Sequence, residues 1–269
     1  MNRERLSAIL RAAPFVPQPG PQYEAFISPA DQLLYGGQAG GGKTALGIGL
    51  ALTKHKQTLF VRREATQLVA VVDEIANILG TRDGYNGSLG IWRLPGGRTI
   101  RLGGVPNIGD ESKFQGAAHD LKVFDECCHI DEAQVRFLLG WLRSTDRSQR
   151  CRALFCSNPP QSAEGEWVIR WWAPWLDQDF PNPAKPGELR WVAMIPGEGE
   201  RWVDGPEPFT HRGETIRPLS RTFVPARVTD NRFLGEDYIR QLSALPEPLR
   251  SQLLHGSFAA GRSDDEWQV

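Results

Sequence analysis

Tyr35-Gly36-Gly37-Gln38-Ala39-Gly40-Gly41-Gly42-Lys43-Thr44 is the stretch on which the reading of this 269-residue chain turns. From Gly37 onward it matches the pattern GxxxxGK[ST]. Before it, Gln32-Leu33-Leu34-Tyr35 is a short apolar run that reads as a strand. After it, Lys43–Lys54 (KTALGIGLALTK) has the apolar spacing of a helix. A strand that turns sharply into a helix can aim its backbone N–H groups at phosphate oxygens. Glycines permit the backbone angles and remove Cβ atoms that would block the approach. The helix N-terminus adds a partial positive charge. Gly37, Gln38, Ala39, Gly40, Gly41, Gly42, Lys43 and Thr44 are therefore expected to bind ATP. Lys43 would reach the β- and γ-phosphates, and the Thr44 hydroxyl would ligate Mg²⁺.

Such a site needs a carboxylate at the tip of a neighbouring buried strand. Leu121-Lys122-Val123-Phe124-Asp125-Glu126 supplies one. Asp125 is expected to hold Mg²⁺ through water, and Glu126 to polarise the attacking water as general base. Adjacent carboxylates in these roles suggest hydrolysis rather than transfer to a small molecule. Another strand, Arg152–Cys156, ends in Ser157-Asn158-Pro159-Pro160. The Asn158 amide would lie near the γ-phosphate and distinguish ATP from ADP. Gln22, in a Pro-Gly-Pro-Gln-Tyr segment, can donate and accept at once, which suits the adenine edge.

The rest of the chain alternates strands and helices. Thr58–Arg62 reads as a strand, Thr66–Leu79 as a helix, Ser88–Leu102 as a hairpin around Pro95-Gly96-Gly97, and Asp131–Leu142 as a helix with Asp131 near its cap. This predicts an α/β three-layer P-loop NTPase of the ASCE, RecA-like kind. It has a mainly parallel sheet, a β-hairpin insertion and a small C-terminal lid subdomain. The expected division is an N-terminal arm over 1–30 with a short helix at Arg3–Ala12, an ATPase core over 31–220, and a lid and linker over 221–269. Lysine plus arginine is 31 and aspartate plus glutamate is 32, for a net charge of -1, so any nucleic-acid contact must be local. Arg136, Arg143, Arg147, Arg150 and Arg152 form one basic stretch, read either as phosphate contacts or as a solvated face. Trp167, Trp171, Trp172 and Trp175 read as packing of the core or lid. The N-terminus lacks a signal-peptide core, and Cys127, Cys128, Cys151 and Cys156 are expected to be reduced, mostly buried thiols.

Taken in order, these motifs resemble the ATPase domain of the terminase large subunit of tailed bacteriophages. The likeness rests on Tyr35–Thr44, Leu59-Phe60-Val61-Arg62-Arg63, and Phe114-Gln115-Gly116-Ala117-Ala118-His119-Asp120 running into Val123-Phe124-Asp125-Glu126. It continues in Ser157-Asn158-Pro159-Pro160, Phe223-Val224-Pro225-Ala226 with Asp230-Asn231, and Leu254-His255-Gly256-Ser257-Phe258. The resemblance implies an ATP- and Mg²⁺-dependent motor in the host cytoplasm that drives double-stranded DNA into a procapsid. Its partners would be DNA, the portal protein, the small terminase subunit and further copies of itself in a ring, usually a pentamer, with an arginine from one subunit completing the neighbour's site.

Two departures stand out. Many family members carry arginine where this chain has Gln38, and Lys113 stands where some place the trans-acting arginine. Arg62, Arg63, Arg101, Arg143 and Arg147 remain as candidates for it. The family's nuclease domain is not expected here, since about 11 residues follow Phe258 and Asp264-Asp265-Glu266 reads as the start of a linker. A truncated chain or a split subunit follows from that reading. Two rival functions keep the phosphate site: another ring-forming DNA translocase or helicase ATPase, and a non-catalytic assembly module switched by nucleotide.

Overall fold

A computed structural model describes residues 14–259 together with residues 4, 8 and 12. The helix expected over Arg3–Ala12 falls for the most part outside these residues, as do Asp264-Asp265-Glu266. In chain order the strands are β1 (Gln32–Gly37), β2 (Gln57–Arg62), β3 (Tyr85–Asn86), β4 (Ile91–Leu94), β5 (Arg98–Gly104), β6 (Leu121–Asp125) and β7 (Arg152–Ser157). There follow β8 (Arg190–Ile195), β9 (Gly199–Val203), β10 (Phe209–His211), β11 (Glu214–Ile216) and β12 (Leu219–Ala226). Ten of them form one sheet in the order β3-β4-β5-β2-β6-β7-β1-β12-β8-β9, and β10 pairs with β11 as a separate ribbon. The six strands from β5 to β12 run parallel. An antiparallel pair flanks each edge.

The central strands are buried on both faces, which is why TLFV, LKVF and ALFC read as nearly unbroken apolar runs. Alternate side chains feed two cores. Leu33, Tyr35, Phe60, Val123, Leu154 and Val224 pack against α2 (Lys43–Thr53) and α3 (Leu68–Leu79), with α1 (Pro21–Ile27) beside them. Leu34, Leu59, Val61, Phe124, Phe155 and Phe223 pack against α4 (Glu132–Leu139) and the short helices α5 (Trp167–Trp171) and α6 (Ala173–Leu176). Phe155 meets Trp167, Trp171 and Trp172 edge-on, so these tryptophans are core packing. Close approach of α2 to the sheet depends on Gly47, where a Cβ would lie 2.8 Å from Val123 Cγ1 and 3.0 Å from Phe60 Cε2.

Three sequence expectations need adjustment. The hairpin around Pro95-Gly96-Gly97 is present, and its second strand β5 is also a member of the parallel sheet, paired with β2. The helix expected to reach Leu142 ends at Leu139. Asp131 caps its start by accepting from the Ala133 N–H at 2.8 Å, but Leu142 leaves the helix to form a backbone bridge with His119. The 220/221 boundary lies inside β12, whose Arg221–Ala226 pair with β1 and whose Leu219–Arg221 pair with β8. The last helices, α7 (Glu236–Ser243) and α8 (Leu249–Leu253), return to the glycine turn.

The basic stretch does not form one surface. Arg152 is 2% exposed and donates to the carbonyls of Ala25 and Ser28. Arg150 donates to the carbonyls of Ser28 and Ala30. Arg136 is paired with Glu132 and Glu200. Cys127, Cys128 and Cys156 are buried and Cys151 partly so, all as free thiols. Among the described residues no helix is long and apolar enough to cross a membrane.

Candidate nucleotide site

Parallel strands place their C-terminal tips at one edge of the sheet, and in such sheets ligands bind there. β1 ends in the glycine turn. Gly37, Gly40 and Gly42 adopt φ of 128°, 78° and 73°, in the region where a Cβ is disfavoured. The turn is also crowded, since a Cβ at Gly41 would lie 2.8 Å from Ala226 Cβ. Lys43 opens α2 directly after Gly42. The first N–H groups of the turn are committed, Gln38 to the Ala226 carbonyl and Ala39 to the Leu253 carbonyl, both at 2.9 Å. Those of Gly40, Gly41 and Gly42 meet no acceptor among the described residues, which suits an anion.

β7 lies between β1 and β6, so Asn158 stands beside the turn and Asp125 one strand further. Lys43 Nζ donates to the Gln38 carbonyl at 2.6 Å and to Asn158 Oδ1 at 2.7 Å. Burial pulls the Lys43 ammonium down to about 8, against the pull of Asp125 and Glu126. Thr44 Oγ1 donates to Asp125 Oδ2 at 2.9 Å. Asp125 is 1% exposed, and Glu126 follows it with φ 55° and ψ 44°. A non-glycine residue in that region carries about 1–3 kcal/mol of strain, and such residues cluster at functional sites. The Glu126 side chain is 42% exposed, enough to meet water.

These groups line a cavity of about 830 Å³. Ala39, Gly40, Gly41, Gly42, Lys43, Thr44, Gln22, Asp125, Glu126 and Asn158 all face it. Gly37 and Gln38 do not; they line a separate pocket of about 360 Å³ on the side of Trp175 and Phe258. The Gln38 side chain accepts from the Val228 N–H at 2.8 Å, fastening the turn to the segment after β12. Gln22 closes the wall by donating to the Gly42 carbonyl at 3.0 Å and accepting from the Gln18 N–H at 2.6 Å. Its amide is therefore already engaged with backbone.

Two further parts were not legible as site residues. Asn231 donates to the Gly40 carbonyl at 2.6 Å, and Gln18 donates to Asn231 Oδ1 at 3.3 Å. Arg62, one of five candidates for a trans-acting role, lies in its own subunit's site. Its Nε and Nη2 donate to Asp125 Oδ2 at 2.9 and 2.6 Å, and Nη2 to Thr44 Oγ1 at 3.3 Å. The signal was in the register, since Val61 pairs with Phe124 and the next residues are Arg62 and Asp125. Of the other candidates, Arg63 is paired with Glu164, Arg101 lies over Phe114, and Arg143 donates to the Gly116 carbonyl.

The donor set fits Mg²⁺. A hydroxyl and a carboxylate supply hard oxygen ligands, and Mg²⁺ is commonly held by one or two carboxylates plus substrate phosphates. Among the described residues no cluster of three or more His, Cys, Asp or Glu could hold a metal alone.

The family described as terminase large subunit, T4likevirus-type, N-terminal, matches residues 50–268. The chain belongs to this family. Its fold is similar to that of the large terminase of a thermophilic bacteriophage, with a TM-score of 0.58 and 12% identity over 89% of this chain and 53% of that one. The same phage's large terminase in complex with ADP gives a TM-score of 0.59 and 13% identity over 88% and 53%. The large terminase ATPase domain of Thermus phage P74-26 gives 0.55 and 14% over 93% and 97%. The chain thus spans about half the length of the first two proteins and nearly all of the isolated Thermus phage domain. No curated protein matches it significantly.

Proposed function

We propose that this chain is the ATP-hydrolysing motor domain of a terminase large subunit, driving double-stranded DNA into a procapsid. The observation that carries this is the convergence of Lys43, Thr44, Asp125, Glu126 and Asn158 on one cavity at the sheet edge, in a member of the terminase family. The free N–H groups of the glycine turn would bind phosphate oxygens. Lys43, already within reach of Asn158, would neutralise the β- and γ-phosphates. Thr44 and Asp125 would hold Mg²⁺, which when bound supplies charge neutralisation at the phosphates. Glu126 would take the proton of the attacking water. Asn158 would exchange its bond to Lys43 for one to the γ-phosphate and report its loss to the segment after β7. Gln22 would bound the end of the cavity that receives the adenine.

The partners proposed with this reading are duplex DNA, the portal protein, the small terminase subunit and further copies of this chain in a ring. The test is a steady-state ATPase assay of the chain and of Lys43→Ala, with and without procapsid and duplex DNA. Turnover in the parent that rises with duplex DNA, without strand separation, is expected. Retained turnover in Lys43→Ala, or stimulation only by unwinding substrates, would count against the proposal.

A further inference from the structure

One cation already sits where the site needs a metal. The Arg62 guanidinium reaches both proposed metal ligands, Asp125 Oδ2 at 2.6 Å and Thr44 Oγ1 at 3.3 Å, and is itself 11% exposed. All three donors on Asp125, from Thr44 and from Nε and Nη2 of Arg62, fall on the same oxygen. A carboxylate 1% exposed would be costly to leave without a counter-charge, because desolvation disfavours the lone ion. Arg62 removes that cost in the metal-free protein. It also competes for the seat, since it takes the same Asp125 oxygen that the Thr44 hydroxyl meets.

A second acid lies in the same cavity. Glu74, half-buried on α3, lines it together with Asp125 and Glu126. Among the described residues it makes no hydrogen bond or ion pair. Its carboxyl is lifted by burial first and by Asp125 next, and lowered by Arg62, so both groups are within electrostatic reach. Arg62 is tethered to the N-cap of the same helix, where Nη1 donates to the Gln67 carbonyl at 3.1 Å. Glu74 lies about two helical turns along from that cap. A guanidinium leaving Asp125 toward α3 has a carboxylate to meet.

We propose that Arg62 is the resident counter-ion of the Thr44–Asp125 metal seat, and that Glu74 receives its guanidinium when a divalent cation enters with the nucleotide. The exchange keeps the buried Asp125 paired with a cation in both states and gives the half-buried Glu74 a partner once the metal is in place. It makes Arg62 a positioning residue that sets how much metal is needed to load the site. This inference rests on reading the cavity as a Mg²⁺–nucleotide site.

The test is Mn²⁺ binding to the full chain at saturating ADP, read from the paramagnetic resonance signal of free Mn²⁺, with no turnover required. Arg62→Gln should lower the half-saturating Mn²⁺ by about tenfold, the scale of one charge-assisted hydrogen bond. Glu74→Gln should raise it by a similar factor in the parent and have no effect once Arg62→Gln is present, since no guanidinium then needs a partner. Arg62→Lys, which keeps the charge as a point rather than a fork, should fall between parent and Arg62→Gln, and it replaces Arg62→Gln if the latter does not fold. Weaker or unchanged Mn²⁺ binding in Arg62→Gln, with the parent binding normally, overturns the exchange alone. A parent that binds no Mn²⁺ with ADP overturns the nucleotide-site reading and the exchange with it.

Discussion

The Lys43 ammonium donates to the Asn158 amide oxygen across 2.7 Å, joining the first turn of α2 to the tip of β7. The helix after the glycine turn and the loop after β7 thereby share one polar contact at the cavity. Removing the amide should leave the ammonium on the Gln38 carbonyl. Asn158→Ala is therefore expected to bind ADP within about threefold of the parent while kcat falls by at least about tenfold. Calorimetric ADP titration and steady-state turnover on the same sample check it, and equal losses in both would refute a role confined to hydrolysis.

Lys43 gives a pH dependence with a definite sign. Burial lowers its ammonium from 10.5 to about 8. Below that pH the free protein holds the charge that phosphate needs; above it, binding must take up a proton. ADP affinity should fall by up to about tenfold per pH unit above about 8. Proton uptake should appear in buffers of different ionisation enthalpy. Lys43→Arg, charged throughout, should flatten the profile. The same shift makes folding stability rise between about pH 8 and the ordinary lysine value, because the unfolded chain holds the proton longer.

Glu126 separates strain from chemistry. Glu126→Gln should retain ADP binding and lose about 10²–10⁴ in kcat. Glu126→Gly should lose hydrolysis equally but gain about 1 kcal/mol of stability, since glycine tolerates the left-handed backbone. Urea unfolding of both variants measures the difference. A glycine variant no more stable than the glutamine one would mean the backbone there is unstrained.

Gly47 tests the packing that sets the site's floor. A methyl there would press on Val123 and Phe60. Gly47→Ala gains about 1 kcal/mol of helix propensity but incurs about 1–3 kcal/mol of overpacking. A net loss of stability is expected by urea unfolding, and a stabilised protein would show that α2 can lift from the sheet freely.

Much of this was legible in the sequence because it is local. The glycine turn, the strand ending in Asp125-Glu126 and the Asp131 cap depend on residues close together in the chain. The sheet order that brings Asp125 within 2.9 Å of Thr44 was implied by the motifs only through the fold class. What escaped depends on contacts between distant segments. Arg62 was visible as an arginine at a strand end, but its bond to Asp125 needs the register of β2 against β6. Gln38 looked like a phosphate-loop residue, yet its side chain turns to Val228, 190 residues away. The early end of α4 follows from the bridge to His119, a pairing no helical periodicity encodes.

The bond from the Ala39 N–H to the Leu253 carbonyl has a mechanical meaning. α8 is also held by Gln252, whose amide donates to the Pro160 carbonyl at 3.1 Å just beyond Asn158. A tug on the chain past Leu253 is thus delivered, within one peptide unit, to the loop that would grip phosphate and to the loop that would sense it. Force on that end of the chain and nucleotide in the cavity would meet at the same short helix.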